Sequence, residues 1–359
     1  MTRQRQVGLF WLGALALLIV CLFVFRQILL PFVAGMALAY GLDPIADRLQ
    51  RAGLGRLAAT VLILTAALVV LAATLLLIGP VLVNQLIDLV TRLPSLVERL
   101  QELFGSVLDS DLARFLGIDS ESVRASFTDF MASGAELVTT VLGSLWTGGL
   151  AIVNLMSLFV VTPFVAFYLL RDWDQMIGRL DRLLPLDYAD EVRDLARAID
   201  RRIAAFVRGQ ILVGVILGIF YATGLVLIGL NYGLLIGLAS GLLSFIPYLG
   251  FAVGFALSIV IALVQFWPDW VWLAATVAVF MIGQFIEGYI LQPRLIGPIV
   301  GLHPVWLFFS LFAFGLLFGF VGLLIAVPAG AAIGVLLRYA IDQYRASGYF
   351  SGRDPNQSP

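Results

Sequence analysis

The chain has 359 residues, of which 61% are hydrophobic and only 13% are charged, and its formal net charge is −1. All 22 basic residues are arginines, so the chain lacks the lysine with which a P-loop reaches the transferred phosphate and the lysine that forms a Schiff base with retinal or pyridoxal phosphate. Since soluble domains are about half apolar and about a quarter charged, the composition indicates a membrane protein and excludes an intrinsic nucleotide motor.

The sequence contains few side chains that could bind a transition metal or take part in redox chemistry. Cys21 is the only cysteine and His303 is the only histidine. A lone cysteine cannot form an intramolecular disulfide, and a single histidine supplies no cluster for zinc, copper or haem. We therefore expect no metal, no cofactor and no enzymatic reaction.

Long apolar runs predict an all-α, polytopic integral membrane protein. A transmembrane helix needs about 20 apolar residues, and five runs have that character: Val7–Phe25, Leu57–Gly79, Val141–Leu170, Ile211–Leu230 and Val271–Ile290. Three others, Ile28–Leu42, Leu234–Phe266 and Val305–Leu337, are too short or too long for one pass. Pro and Gly interrupt the last two near their middles, so we expect about eight transmembrane helices or hairpins, with re-entrant or broken segments among them.

The first apolar run has two possible interpretations. Val7–Phe25 follows Arg3 and Arg5, as the apolar core of a secretion signal does. No small-x-small cleavage site follows it, and the residues before Cys21 are too bulky for a lipoprotein processing site. We interpret it as a retained first span.

The distribution of arginine predicts the orientation, because positively charged short loops stay cytoplasmic. Residues 80–140 carry four arginines and nine acidic residues, whereas residues 171–208 carry eight arginines. The predicted order is N-terminal transmembrane helices at 1–79, an extracytoplasmic amphipathic helical segment at 80–140, a transmembrane helix at 141–170, cytoplasmic amphipathic helices at 171–208, a transmembrane transport core with two broken hairpins at 209–340, and a cytoplasmic tail at 341–359. Both termini then face the cytoplasm.

Two polar segments show the apolar periodicity of amphipathic helices. Apolar residues recur every three or four positions from Leu86 to Val107, and Pro94 is expected to begin a second helix there. This segment forms either a collar between subunits or a cap on its own protomer. The stripe from Val192 to Phe206 is typical of a helix at the membrane interface or docked on the bundle.

Few charged groups are left at membrane depth, where each is costly and suggests a function. Glu287 lies near the end of the run Val271–Ile290, and Gln284 lies three residues before it, on the same helical face. Arg294 follows Pro293, and His303 precedes Pro304. The alternative interpretation places these groups at the interface, where their side chains extend to the lipid headgroups.

Two interruptions flank the apolar run Val271–Ile290. In Ser244–Gly250, Pro247 lacks an amide donor and Gly250 permits unusual dihedral angles, while Ser244 and Tyr248 add uncharged hydrogen-bonding groups. Residues 292–304 contain three prolines and two glycines and are expected not to be helical. Because irregular backbone is tolerated in a membrane only where it lines a cavity or is buried in protein, the two breaks predict a transport site.

The same region resembles a known family. The matching residues are Glu287–Gly297, Val300–Pro304, Gly319, Gly322 and Ala326–Pro328, with a similar turn at Ile246–Gly250. They are similar to the signature end of the autoinducer-2 exporter (AI-2E, PerM-like) family, and the order of spans is similar over nearly the whole chain. Gly288 departs from the pattern, because members often carry Asn there, so an Asn ligand is not carried over.

The resemblance implies a secondary permease of the bacterial inner membrane that forms homo-oligomers, with a pentamer as the implied size. Some members export autoinducer-2 and others exchange sodium or lithium for protons. The expected transport path comprises Ser244, Pro247, Tyr248, Gly250, Gln284, Glu287, Pro293, Arg294, His303 and Pro304, and the expected hinges are Gly315, Gly319, Gly322 and Pro328.

We therefore expect a secondary active transporter that exports a small polar solute by alternating access of its re-entrant hairpins. Its partners are the lipid bilayer, the solute and H⁺ or Na⁺ as a coupling ion. A Na⁺(Li⁺)/H⁺ antiporter of the same family is the alternative, and it would use Glu287.

An intramembrane serine protease fits poorly, because Ser240 lacks the first glycine of G-x-S-G and has only His303 as a base. A scaffold that moves no solute is the remaining alternative.

Overall fold

The computed structural model describes residues 20–108, 149–184, 188–296 and 303–346, and the single positions 13 and 17. In these ranges the chain is helical and contains no strand, and six of its helices are long and apolar enough to cross a membrane. The prediction of an all-α, polytopic membrane protein is confirmed. Most of the first span, residues 109–140 of the external segment and residues 347–359 of the tail lie outside the described ranges.

The helices are α1 (Leu29–Arg51), α2 (Arg56–Leu108), α3 (Gly149–Asp181), α4 (Ala189–Ile228), α5 (Gly233–Leu243), α6 (Leu249–Phe266), α7 (Trp270–Phe285) and α8 (Pro304–Ala346). A 3-10 turn, Arg26–Ile28, precedes α1, and a π-helix, Ile286–Ile296, continues from α7. The chain divides into two compact units. The first comprises residues 1–65, 157–211 and 293–359, and the second comprises residues 66–156 and 212–292.

Helices extend beyond the apolar runs that predict them, and in three of them the extension changes the prediction. α1 covers 23 residues and is long enough to cross the membrane, so the prediction that Ile28–Leu42 is too short is wrong. α2 runs without interruption for 53 residues through Pro94, so Pro94 does not begin a second helix. α4 joins the stripe from Val192 to Phe206 to the span that follows it. An interior proline costs about 3 kcal/mol, which the many backbone hydrogen bonds of so long a helix offset.

The first unit has a core of small and aliphatic side chains. Its buried cluster contains Ala39 and Ala46 of α1, Ile63 and Leu64 of α2, and Ala166 and Leu170 of α3. The α1 and α3 backbones approach closely, because a methyl group at Gly35 would lie only 2.9 Å from the Thr162 carbonyl oxygen. Small residues at helix contacts are typical of membrane bundles, where close backbone approach drives association.

A polar cluster, here called the Arg56 cluster, closes one end of this core. The Arg56 side chain is 18% exposed and donates hydrogen bonds to Asp47 at 2.6 Å and to Asp43 at 2.9 Å. It also donates to the carbonyl oxygen of Leu170 at 2.7 Å, which ties the start of α2 to α3. One arginine at the start of α2 therefore holds α1, α2 and α3 together.

The Arg56 cluster continues into α4. Arg208 donates to Asp43 at 3.2 Å and to the carbonyl oxygen of Tyr40 at 2.8 Å. The hydroxyl of Tyr40 donates to Asp200 at 2.9 Å. Arginines from α2 and α4 are thus gathered at a single end of the first unit.

Substituting Arg56 with Gln is expected to lower the stability of the protein by about 2 kcal/mol, because hydrogen bonds to charged groups contribute about 1.5–3 kcal/mol. Arg51→Gln is the matched control, since among the described residues the exposed Arg51 side chain bonds only its own helix, at the Asp47 carbonyl. Thermal unfolding of the purified protein in detergent measures both. Equal losses in the two variants would show that the Arg56 cluster does not hold the helices together.

In the second unit, α5 is too short to cross a membrane. It has 11 residues, or about 17 Å at 1.5 Å per residue, against a hydrocarbon core of about 30 Å. It packs against α6, and α6 packs against α7. The segment Leu234–Phe266 is therefore two helices joined at Ser244–Tyr248, where the sequence predicts the break.

Side chains of α2 cap the start of α5. Gln85 accepts a hydrogen bond from the Leu235 amide at 3.0 Å, and Asp88 accepts one from the Tyr232 hydroxyl at 2.8 Å. Burial, together with the hydrogen bond to Asp88, raises the pKa of Tyr232, so this hydroxyl stays protonated and keeps donating. Two of the polar groups around the start of α5 are thereby satisfied.

α8 is broken at Gly319, as its glycines predict. Gly319 has φ 62° and ψ −137°, and the backbone of Gly322 contacts the carbonyl oxygen of Phe314. Residues eight apart in a straight helix are separated by about 12 Å, so the chain bends sharply here. Arg26 donates to the Leu317 carbonyl oxygen at 3.1 Å, which satisfies one of the carbonyls that the break leaves open.

Candidate functional site

The turn between α5 and α6 has a strained backbone. Tyr248, the residue before α6, has φ 67° and ψ −22°, in the left-handed region that a side chain with a Cβ atom disfavours. Such conformations cost about 1–3 kcal/mol and persist only where the surroundings hold them, often at functional sites. The Tyr248 ring is 51% exposed, so the strain is not explained by burial of the ring.

Two buried hydroxyl groups lead to this turn along α5. The Ser240 hydroxyl donates to the Ile236 carbonyl at 2.6 Å, and the Ser244 hydroxyl donates to the Ser240 carbonyl at 2.8 Å. Both side chains are at most 3% exposed. Both hydroxyl protons are directed back into the helix, so the two donors are satisfied.

Glycines of α6 lie directly on these hydroxyls. A methyl group at Gly250 would collide with the Ser240 carbonyl and the Ser244 hydroxyl, and it would lie 2.6 Å from the Ser244 amide nitrogen. A methyl group at Gly254 would collide with the Ser240 hydroxyl. Backbone, glycines and hydroxyls therefore form a polar seam between two apolar helices.

A second glycine contact joins α5 to α4. The backbones of Gly218 and Gly241 touch, and a methyl group at Gly241 would lie 2.6 Å from the Gly214 carbonyl oxygen. Gly237 is equally close to the backbone of Ala222. The spacing of four residues between the paired glycines is the small-xxx-small pattern of membrane helices.

Glu287 is buried in the π-helix. The residue is 5% exposed, and its carboxylate accepts a hydrogen bond from the Gln292 side chain at 3.2 Å. These residues are five positions apart, the spacing that hydrogen-bonded partners have in a π-helix. No cationic side chain forms an ion pair with Glu287 in the part of the chain that the structure describes.

Tyr221 of α4 lies near this carboxylate and interacts with it electrostatically. Its ring is fully buried and stacks on Phe280 at 4.7 Å between centroids, and a methyl group at Gly283 would collide with it. The Tyr221 hydroxyl is buried and has no hydrogen-bond partner among the described residues. A buried donor without an acceptor is costly, so Tyr221 marks a polar spot beside Glu287 that the sequence analysis missed.

The prediction that residues 292–304 are not helical is wrong for the first five of them. Gln292, Pro293 and Arg294 belong to the π-helix, and Pro304 begins α8. An α-turn would press the proline ring against the carbonyl four residues earlier, and the wider π-turn relieves that contact. Residues 297–302 lie outside the described ranges.

The structure separates the predicted site residues into different environments. In the second unit, Ser244, Gly250 and Glu287 are buried, Pro247 and Gln284 are half-buried, and Tyr248 is exposed. In the first unit, Pro293, Arg294, His303, Pro304 and Gly319 are exposed, Gly315 and Pro328 are half-buried, and Gly322 is buried. His303 accepts a hydrogen bond from the Val305 amide through Nδ1 at 3.3 Å, which is a helix-capping role.

Sequence reasoning missed Tyr221 and the glycine contact between α4 and α5. Gly214 and Gly218, and likewise Gly237 and Gly241, repeat at intervals of four residues, and this signal is visible in the sequence. The position of Tyr221 gives no such signal, because its importance depends on a residue 66 positions later, Glu287.

Comparison with known proteins agrees with this architecture. The profile described as AI-2E family transporter matches residues 12–342. PerM of Escherichia coli (strain K12), named as a permease, is 29% identical over 339 residues, which cover 90% of this chain and 92% of PerM.

Two proteins of Bacillus subtilis (strain 168), both named as transport proteins, match over a shorter length. YrrI is 33% identical over 187 residues, 51% of this chain and 52% of YrrI. YueF is 25% identical over 216 residues, 60% of this chain and 57% of YueF. The chain thus spans little more than half the length of these two relatives. Because the family profile covers nearly the whole sequence, the chain belongs to the AI-2E family of membrane transporters.

Proposed function

We propose that this protein is a secondary active transporter that exports a small polar solute through the second unit. The observation that carries the proposal is the polar seam: buried hydroxyls of Ser240 and Ser244 and a strained turn at Tyr248 lie between helices that are otherwise apolar. Polar groups inside a membrane are costly, so those that a protein keeps there usually have a function. Autoinducer-2 is the candidate solute that the family resemblance supplies.

The α5–α6 hairpin is proposed to act as the gate. Since α5 is too short to cross the membrane, its turn requires protein or water to satisfy its backbone. The strain at Tyr248 is a free-energy difference that a second arrangement of the turn would release. Movement of this turn would expose the hydroxyls of the polar seam to a solute. The bend at Gly319 is proposed as the hinge of the second hairpin.

Na⁺(Li⁺)/H⁺ exchange is the second candidate, and Glu287 is the observation that favours it. A buried carboxylate without an ion-pair partner in the described part of the chain can take up a proton or a small cation. In this case the same residue couples the flux to an ion gradient. Flux of Na⁺ without any organic solute would distinguish exchange from solute export.

We also propose an orientation in the membrane and an oligomeric state. The gathering of arginines at one end of the first unit supports a cytoplasmic location for that end, with both termini inside. Labelling of single cysteines with a reagent that does not cross the membrane tests this orientation. We also propose a homo-oligomer, which the mass of the purified complex tests.

Substitutions of Tyr248 test the gate. Tyr248→Gly removes both the ring and the strain, whereas Tyr248→Ala removes the ring and keeps the Cβ atom that disfavours positive φ. We expect Tyr248→Gly to change solute flux about fivefold or more, since a strain of about 1 kcal/mol corresponds to that factor. Tyr248→Ala should remain closer to the native rate.

The measurement is flux of radiolabelled polar solutes, autoinducer-2 included, in proteoliposomes. Identical rates in the native protein and both variants would reject the gate. If the native protein moves no solute and no ion under any gradient, transport itself is rejected and the scaffold interpretation is favoured.

A further inference from the structure

Tyr221 of α4 is held in place by its ring, while its hydroxyl group has no partner among the described residues. The residue is 0% exposed, and its ring stacks on Phe280 at 4.7 Å between centroids and 21° between planes. A buried polar group without a partner is costly, and native proteins contain few of them. Packing accounts for the ring of Tyr221, and the hydroxyl group remains to be explained.

Two contacts fix how α4 lies against α7. A methyl group at Gly224 would lie 3.0 Å from the Val279 side chain, and one at Gly283 would lie 2.6 Å from the Tyr221 hydroxyl oxygen. A step back along α4, from residue 224 to residue 221, therefore corresponds to a step forward along α7, from residue 279 to residue 283. The two helices are antiparallel, so the part of α4 that precedes Tyr221 runs alongside the π-helix that contains Glu287.

The side chains of Tyr221 and Glu287 lean toward each other across this contact. In a helix a side chain leans toward the N-terminus and covers the preceding turn. Tyr221 therefore leans toward the part of α4 that lies beside Glu287. Glu287 leans toward Gly283, one turn earlier, where the Tyr221 hydroxyl lies. Because residues one turn apart have Cβ atoms about 5–6 Å from each other, rotation about side-chain bonds brings the phenol and the carboxylate together.

The Glu287 carboxylate can accept this second donor. Its Oε1 atom accepts a hydrogen bond from the Gln292 side chain at 3.2 Å. Gln292 follows Glu287 in the chain, so this donor belongs to the turn opposite to that of Gly283. A carboxylate has about four lone-pair sites on its two oxygens. Since Glu287 is only 5% exposed, water satisfies little of what Gln292 leaves open.

The other titratable groups of the second unit do not take the place of Tyr221. α5, α6 and α7 contain no titratable side chain, and within this unit α4 contains only Tyr221. Arg208 of α4 lies 13 positions from Tyr221, or about 20 Å along the helix, and belongs to the first unit. In the π-helix, Tyr289 is 75% exposed and Arg294 is exposed as well. The remaining groups in the described part of the unit lie in α2 or in turns: Asp88, Arg92, Glu98, Arg99, Glu102, Tyr232, Tyr248 and Asp269.

We propose that the Tyr221 hydroxyl donates a hydrogen bond to the Glu287 carboxylate when Glu287 has lost its proton, and that Tyr221 thereby sets the pH at which this proton is released. A hydrogen bond to an ionised acceptor is about twice as strong as one between neutral groups, so the contact favours the ionised form. Tyr221 keeps its own proton throughout, and the proton that leaves Glu287 passes to water. Tyr221 is a positioning residue that acts through Glu287, and the inference rests on the proposed role of Glu287 as the coupling group.

The experiment follows the carboxyl C=O vibration of Glu287 by infrared spectroscopy while the pH of the purified full-length protein in nonionic detergent is raised. The band that is missing in Glu287→Gln belongs to Glu287. Tyr221→Phe keeps the ring and its stacking on Phe280 and loses only the hydroxyl group. Without that donor the ionised form is less stable, so the midpoint of the titration is expected to move up by about one pH unit, a tenfold change in proton concentration.

Tyr232→Phe is the matched control. It removes another buried tyrosine hydroxyl of the same unit, one that donates to Asp88 at 2.8 Å, and it should leave the midpoint unchanged. A Tyr221 that served only to pack would also leave the midpoint unchanged in Tyr221→Phe, because phenylalanine fills the same space. If Tyr221→Phe does not fold, the tyrosine C–O vibration is followed instead. This band is expected to shift in the native protein as Glu287 loses its proton and to stay fixed in Glu287→Gln.

The titration requires neither a solute nor a gradient, so its result is independent of the transport assay. A protein that moves no solute and no ion rejects the proposed function, and its titration still shows whether Tyr221 acts on Glu287. The inference is overturned by an unchanged midpoint in Tyr221→Phe, by an equal shift in Tyr232→Phe, or by a Glu287 band that does not titrate while the protein stays folded. A tyrosine band that does not respond to Glu287 overturns it as well.

Discussion

Replacement of Glu287 with Gln is expected to reduce proton-driven flux more than tenfold while leaving the fold intact. Glutamine has nearly the same shape, and its amide oxygen can still accept the hydrogen bond that Gln292 donates to the carboxylate at 3.2 Å. What the variant loses is the ability to bind and release a proton at a site that is 5% exposed. A proton-coupled transporter needs one group that changes its protonation state, so loss of that group is expected to lower the flux.

The measurement is solute or Na⁺ flux into proteoliposomes over a series of imposed pH gradients. Gln292→Ala is the control, because it removes the hydrogen-bond donor and keeps the acidic group, so its flux should still depend on pH. Thermal unfolding of both variants checks that the fold is retained. If Glu287→Gln transports with the native pH dependence, Glu287 is not the coupling group.

The largest loss of stability is expected for Gly241→Val. Its side chain would collide with the backbone of Gly218 and would lie 2.5 Å from the Gly218 amide nitrogen. Backbone atoms cannot move aside as a flexible side chain does, so α4 and α5 would have to separate. Overpacking in a tight core costs about 1–3 kcal/mol and sometimes more, and we expect the upper end of that range or failure to fold.

Gly79→Ala is the matched control for this substitution. Gly79 is also a helical glycine of the second unit, but a methyl group there meets nothing within 4 Å. Alanine favours a helix over glycine by about 1 kcal/mol, so this variant should be as stable as the native protein or more so. Helical circular dichroism during heating in detergent compares the two. A Gly241→Val protein that unfolds at the native temperature would contradict the backbone contact.

The two helix breaks were predictable because their cause is local. Pro247 lies in the turn between α5 and α6, although the positive φ of that turn falls on Tyr248 and not on Gly250. Gly319 adopts a positive φ that only glycine adopts easily. Each break follows from one or two residues, whatever surrounds them. The all-α, polytopic character is predictable for a similar reason, since a span depends on the composition of about 20 neighbouring residues.

Features that depend on distant residues were not predictable. Arg56 bonds a carbonyl 114 positions later, and the polar spot at Tyr221 requires both α7 and the π-helix. The π-helix itself contradicts the local signal, because Pro293 normally ends a helix. α2 likewise continues through Pro94, where the sequence predicts a helix boundary. The backbone hydrogen bonds of the 53-residue helix outweigh the local cost of one proline.

The Arg26 side chain places a positive charge at the bend of α8. The carbonyl oxygens at the end of a helical segment carry about half a negative charge together, and they can take the place of water around a small cation. At this bend the Leu317 carbonyl oxygen already accepts a hydrogen bond from Arg26. A sodium ion that approached would meet the positive charge of Arg26, so the carbonyl oxygens at this bend form a poor binding site for the cations that the protein is proposed to exchange.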